Sequence, residues 1–278
     1  MANNLSTDLK IRVISALCED CSIRGLERMT GVRRDTIMRL GVRMGGACKQ
    51  ILDQKMRGLD CRQIEVDEIW GFIHKKQKNA KISDLAAWRG DAWVFIALDA
   101  ETKLIPSFLV GRRDAYHAKA FMSDLASRLK NRPQISSDAL AAYVDAVERA
   151  FGSNADYGQI VKTFAIVNLA KNAASRYSPT EIVSTEKTAV SGCPNLDLIC
   201  TSHVEKQNHT LRMHCRRLTR LTNAFSKKWE NFEAAVALNF AYYDLCKIHL
   251  ALRTTPAQAA GVESSQWSVA ELVERCGE

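Results

Sequence analysis

Gln63-Ile64-Glu65-Val66-Asp67-Glu68-Ile69-Trp70 runs straight into Gly71-Phe72-Ile73. Apolar residues alternate with acids before the aromatic end, so the stretch reads as a β-strand. A carboxylate between apolar neighbours in a strand is costly to bury unless something pairs with it, and a divalent cation is one such partner. Two more strands follow in short order, DAWVFIALD ending in a turn at Ala100-Glu101-Thr102, then LIPSFLVG. Three strands joined in sequence predict an antiparallel meander. The basic stretch from Lys75 to Arg89 between the first two reads as a hairpin loop near the first acid.

Downstream of the meander, the spacing of Ala118, Phe121, Met122, Leu125 and Leu129 predicts a helix from about Asp114, stopped by Asn131-Arg132-Pro133. QISSDAL is a short strand stopping at Asp138, AAYVDAVERAFG a helix closed by Gly152, and DYGQIVKTFA one more strand. The order βββ-αβ-αβ marks a mixed α/β domain, not a run of βαβ units. Residues 171–200 are polar, hold Pro179, Gly192 and Pro194, and predict an irregular insertion. From Ser202 the sequence HVEKQNHTLRMHCRRLTRLT reads as one long basic helix.

Upstream, Ser22 is a plausible N-cap for a helix to about Met29, Gly31 breaks it, and a second helix starts near Arg33 with Ile37 and Leu40 facing inward. Helix, glycine turn and helix form the helix-turn-helix pattern, whose second helix enters the DNA major groove. Arg33, Arg34, Thr36 and Arg39 lie on or near the exposed face and are the candidate base and phosphate contacts. Arg33 stands where a Ser or Thr cap is usual. Without DNA, the same pattern would be a small helical bundle with a basic face. Residues 41–62 continue helically as a connector.

Three acids stand out: Asp67 in the first strand, Asp138 ending the fourth, and Glu205 in the first turn of the last helix. Only a fold can bring residues so far apart together. Carboxylates sharing one rim of a sheet repel each other unless a cation lies between them. Hard oxygen ligands suit Mg²⁺ or Mn²⁺, and two such ions clamp the attacking and leaving oxygens of a phosphoryl displacement. Asn208 and Arg212 share the helix face of Glu205, and Arg216, Arg217 and Arg220 extend the positive charge. Taken singly, each acid also has a structural reading: a strand or turn aspartate, a cap, a surface helix glutamate.

The 278 residues carry 39 Lys and Arg against 31 Asp and Glu, a net +8 that favours a polyanionic partner. No apolar run is long enough to span a bilayer, and the N-terminus lacks a signal-peptide pattern, so a cytoplasmic location is expected. The nine cysteines therefore read as reduced thiols. Cys18 and Cys21 have the spacing of a zinc half-site, but no second half follows at finger spacing.

As a set, V-D-E-I-W-G, S-S-D-A-L and H-V-E-K-Q-N-H-T-L-R with the following C-R-R-L-T-R-L-T-N resemble the DDE transposases of bacterial insertion sequences, closest to the IS-one family. The tail R-T-T-P-A-Q-A-A-G-V is similar to the closing segment of many transposases and integrases. The resemblance covers about residues 63–262. It implies an RNase H-like catalytic domain of order βββαβα with a final catalytic helix, and it assigns Asp67, Asp138 and Glu205 as the metal-binding triad. It implies two Mg²⁺ or Mn²⁺ ions, double-stranded DNA as partner, and at least a dimer on DNA. Members commonly carry an N-terminal zinc module, for which this chain offers only Cys18 and Cys21. The expected organisation is 1–60 helix-turn-helix and connector, 61–250 catalytic domain, and 251–278 C-terminal tail, with Trp267–Val273 a short helix packed on the catalytic domain. Two alternatives stay open: a catalytically silent DNA-binding repressor, and an RNase H-fold nuclease without strand transfer.

Overall fold

The computed structural model describes residues 5–164 and 182–277. Three helices open the chain: α1 (Thr7–Cys18), α2 (Ile23–Thr30) and α3 (Arg34–Lys55). Ser22 Oγ accepts the Gly25 N–H at 3.0 Å and starts α2. Gly31 ends it in the left-handed conformation, φ +70°, which glycine adopts without a Cβ penalty. Arg33 begins α3 with no side-chain cap. Ile37, Leu40, Met44, Cys48 and Leu52 form the buried stripe of α3. At Gly45 the helix meets α8 (Trp229–Ala241) so closely that a Cβ would lie 2.0 Å from the Ala234 carbonyl oxygen.

Among the described residues the sheet has six strands in the order β3-β2-β1-β4-β5-β6. Its centre is β1 (Gln63–Ile73), paired antiparallel with β2 (Gly90–Asp99), which pairs antiparallel with β3 (Ser107–Gly111). These are the expected meander. On its other side β1 pairs in parallel with β4 (Gln134–Ser137), and β4 with β5 (Asp156–Phe164). Parallel neighbours need a crossover, and α5 (Ala115–Arg128) and α6 (Ala141–Phe151) supply it.

Alternation along β1 sends its side chains to two layers. Glu68 meets Tyr143 of α6, and Phe95, opposite Glu68 in β2, stacks near Phe121 of α5 and Tyr143. Glu65 and Asp67 point the other way, to α7 (Ser202–His214). The core among the described residues is continuous, from Val13 and Ile14 of α1 through the sheet to Leu272 and Val273 of α10 (Val269–Arg275).

Three local expectations are corrected. Part of the supposed irregular insertion is a strand: β6 (Ile182–Ser191) pairs antiparallel with β5, while residues 171–181 lie outside the described residues. The Lys75–Arg89 stretch is no simple loop but holds a short helix, α4 (Ile82–Ala86), tied down by Asp84, which accepts from Lys75, Arg89 and the Lys81 N–H. The long basic helix stops at His214. There the Arg212 Nη1 donates to Leu218 O at 3.0 Å and the Thr219 hydroxyl to Arg212 O at 3.1 Å, so the chain folds back. Elsewhere, the tail helix α10 packs on the π-helical turn Tyr242–Cys246 that ends α8, inside the 61–250 span, and also on α1; in sequence α9 (Pro256–Ala259) runs between that turn and α10.

Candidate metal and nucleic-acid site

The short strand β4 decides the geometry. It covers β1 only from Gln63 to Val66, so from Asp67 onward that edge has, among the described residues, no strand partner until a single bridge between Ile73 and Ser226. The parallel pairing Val66↔Ser137 brings Asp138, leaving β4, beside Asp67. One carboxylate oxygen each from Asp67, Glu68 and Asp138 lie within 4.8 Å of one another. Sequence reading supplied Asp67 and Asp138. It missed Glu68, which alternation assigns to the opposite face; at an uncovered edge the two carboxylates reach around and meet.

Glu68 is 1 % exposed and Asp138 42 %, so the first is a held charge and the second is open to a ligand. Arg113 secures both: its Nε donates to Glu68 Oε1 and its Nη2 lies 3.7 Å from Asp138 Oδ2. The Tyr143 hydroxyl donates to Glu68 Oε2 at 2.9 Å. Burial, then the Asp138 charge, push the Glu68 carboxyl upward. Burial, and then the negative charges of Glu68, Asp138 and Glu205, push the Asp67 carboxyl up to about 7. The cluster holds more negative charge than its one arginine offsets.

Three ties lay α7 along β1. Glu65 Oε2 accepts the N–H groups of His203 and Val204 at 2.8 and 3.0 Å, and Oε1 lies 2.6 Å from His203 Nδ1. This is an anionic cap on a helix N-terminus. Asn208 Nδ2 donates to Asp67 Oδ2 at 2.7 Å. Arg212 Nη2 donates to the Trp70 carbonyl at 3.1 Å. The spacing of these ties fixes the first turn of α7, and with it Glu205, beside the carboxylates. Glu205 nevertheless does not join the three: Thr201 Oγ1 donates to its Oε1 at 2.7 Å and the Lys162 ammonium pairs with the same oxygen.

The expected DNA contacts divide. Arg33, Arg34 and Arg39 are exposed at the start of α3, with Thr36 half-buried between them, and Arg220 is exposed. Arg212, Arg216 and Arg217 are not free surface cations: Arg212 faces the sheet from within α7, and the turn after His214 gives Arg216 and Arg217 partners in the protein. Arg216 Nη1 pairs with Asp20 at 3.0 Å, Arg217 Nη1 donates to Ala224 O at 3.0 Å, and burial lowers the Arg212 guanidinium to about 10. Asn208 is spent on Asp67. Cys18 is buried in the core, and burial drives its thiol up; no cluster of metal-ligating side chains among the described residues includes it or Cys21.

The site fits a hard divalent cation. Its donors are carboxylate oxygens, and the neighbouring Asn208 Oδ1 is a buried acceptor with no hydrogen-bond partner among the described residues.

No protein-family model matches the chain, and no curated protein matches it. Among solved structures it is similar to a piggyBac transposase synaptic complex with hairpin DNA, studied by cryo-EM: TM-score 0.44 at 12 % sequence identity, over 97 % of this chain and 69 % of that one. A likeness of that degree decides nothing about chemistry.

Proposed function

We propose that this chain is a metal-dependent DNA transposase with an RNase H-like catalytic domain. The observation that carries the reading is the meeting of Asp67, Glu68 and Asp138 within 4.8 Å at an open strand edge, beside a helix that presents Glu205. The meander, the two parallel crossovers and α7 laid along β1 support the reading.

Asp67, Asp138 and Glu205 would hold the metal, with Glu68 as a buried neighbour that adds charge. Bound Mg²⁺ or Mn²⁺ would neutralise charge on the scissile phosphate and favour ionisation of the attacking oxygen. Asn208 orients Asp67, and Arg113 keeps Glu68 and Asp138 together. The reaction is an in-line displacement at a phosphodiester. Water attacks phosphorus, the bond to the 3′ oxygen breaks, and that oxygen leaves as a 3′-hydroxyl. The freed hydroxyl then attacks a target phosphodiester and displaces its 3′ oxygen. Arg33, Arg34, Thr36 and Arg39 would hold the transposon end, and work on two ends calls for at least a dimer on DNA.

One observation favours a second reading, a catalytically silent DNA-binding protein: the Lys162 ammonium already neutralises Glu205. A plasmid carrying the DNA that flanks the gene separates the two. Wild type with Mg²⁺ or Mn²⁺ should nick and join the ends, while EDTA or Asp138→Ala should abolish both. Specific binding with no cleavage under either metal would establish the silent protein.

A further inference from the structure

Trp70, Phe72, Trp93 and Phe225 form an aromatic surface that the carboxylate chemistry leaves unused. Alternation puts Trp70 and Phe72 on the face of β1 that carries Glu68, and Trp93 lies directly opposite Trp70 in β2. Ring centroids are 5.6 Å apart for Trp70–Phe72 and 4.8 Å for Phe72–Phe225. Helices α5 and α6 cover this face around Glu68 and Phe95. Beyond it the rings are half-buried; Trp93 packs against the edge of the hydrophobic core, and Trp70, Phe72 and Phe225 take no part in it.

Cations lie on these rings. Lys76 Nζ sits 5.5 Å over Trp70, and the Arg113 guanidinium 5.2 Å over Trp93. Arg113 is also the side chain that holds Glu68 and Asp138, so the surface begins where the carboxylates end. Aromatic faces interleaved with cations match the chemistry of a nucleotide: a flat π-system next to a phosphate. An apolar protein segment would have no use for the cations. A paired duplex keeps its base faces stacked inside the helix.

We propose that this surface is a stacking platform for unpaired nucleotides of the strand whose phosphodiester faces Asp67 and Asp138. The strand's identity rests on the proposed function; the stacking itself does not. A single strand on such a platform loses about tenfold or more in affinity when one ring is removed.

The test uses the full chain in EDTA with a short single-stranded oligonucleotide carrying 2-aminopurine, and the same sequence as a duplex. Trp70→Ala should weaken single-strand binding about tenfold and abolish 2-aminopurine quenching, with duplex affinity unchanged. Trp70→Phe should keep both. If Trp70→Ala fails to fold by circular dichroism, Phe72→Leu against Phe72→Tyr makes the same comparison. Equal single-strand affinity in the ring-less and wild-type proteins would overturn the platform, as would a loss shared equally by the aromatic replacement. Asp138→Asn separates this from the catalytic reading: it should leave stacking intact. Stacking without cleavage under any metal would sink the transposase and spare the platform; cleavage without stacking would do the reverse.

Discussion

Glu65 anchors the helix that carries Glu205, and the size of that effect can be worked out. Its carboxylate is 3 % exposed and accepts the N–H groups of His203 and Val204. In Glu65→Ala both lose their acceptor. Val204 is fully buried, so its N–H is left dry, a loss of about 1–3 kcal/mol; water can reach the more exposed His203 in part. The favourable meeting of a negative charge with a helix N-terminus adds about 1–2 kcal/mol in a buried setting. Relief from burying a carboxylate offsets part of the sum. The net expectation is a loss of about 3 kcal/mol. Glu65→Gln differs. Its carbonyl oxygen can keep both N–H bonds while its amide turns to His203 Nδ1, so only the charge is lost, about 1 kcal/mol. Urea unfolding at neutral pH measures both differences, and exchange of the Val204 amide should quicken in the alanine variant alone. An alanine variant within about 1 kcal/mol of wild type, or a glutamine variant as damaged as alanine, would refute the cap.

Three further outcomes are expected. The Asp67 carboxyl is raised from 3.8 to about 7, so between those values the folded state binds a proton that the unfolded state has released, and stability falls as pH rises through that window. The loss is at most about 4 kcal/mol; Asp67→Asn should flatten it and melt higher than wild type near pH 8 without divalent ions, and Mg²⁺, which should raise the Tm of wild type if it fills the proposed site, should not raise that of the variant. Gly45→Ala should destabilise beyond the usual overpacking cost of about 1–3 kcal/mol, since its Cβ meets the Ala234 backbone, whereas Gly46→Ala has nothing within 4 Å and should stabilise by up to about 1 kcal/mol, both read by thermal melting. Arg34→Ala combined with Arg39→Ala should weaken DNA binding and lower the slope of log affinity against log salt by about 2, with melting unchanged, while Arg216→Ala, which breaks the pair with Asp20, should show first as lost stability.

What the sequence made legible was local. The antiparallel meander, the inward Ile37 and Leu40, and Asp138 at the end of a short strand all follow from period and punctuation within a dozen residues. The pairing that sets Asp138 beside Asp67 follows once β4 is taken as parallel to β1. Long-range features were not legible. The acids of β1 are split between faces, Glu65 and Asp67 on one and Glu68 on the other, and nothing in QIEVDEIW says that Glu65 will meet α7 or that the uncovered edge will let Glu68 join Asp67. A charged residue two positions before a candidate ligand, on the same strand face, was the available signal for Glu65. The run of arginines after His214 keeps helical composition, so its turn inward was hidden; that turn depends on Leu218 and Cys215 being buried and on Asp20, about 200 residues away in sequence. The 2.0 Å approach at Gly45 likewise belongs to the meeting of two distant helices.

The strand β1 is written on both sides. Its odd positions speak to α7, its even positions to Arg113, Tyr143 and the aromatic surface. One residue inserted or deleted ahead of Glu65 would exchange the two scripts, sending Trp70 and Phe72 toward α7 and Asp67 toward α6, with every side chain still present. The strand should therefore accept many single replacements yet tolerate almost no change of length. A library of variants through Gln63–Ile73 should show that asymmetry: survivors that differ in letters, and none that differ in number.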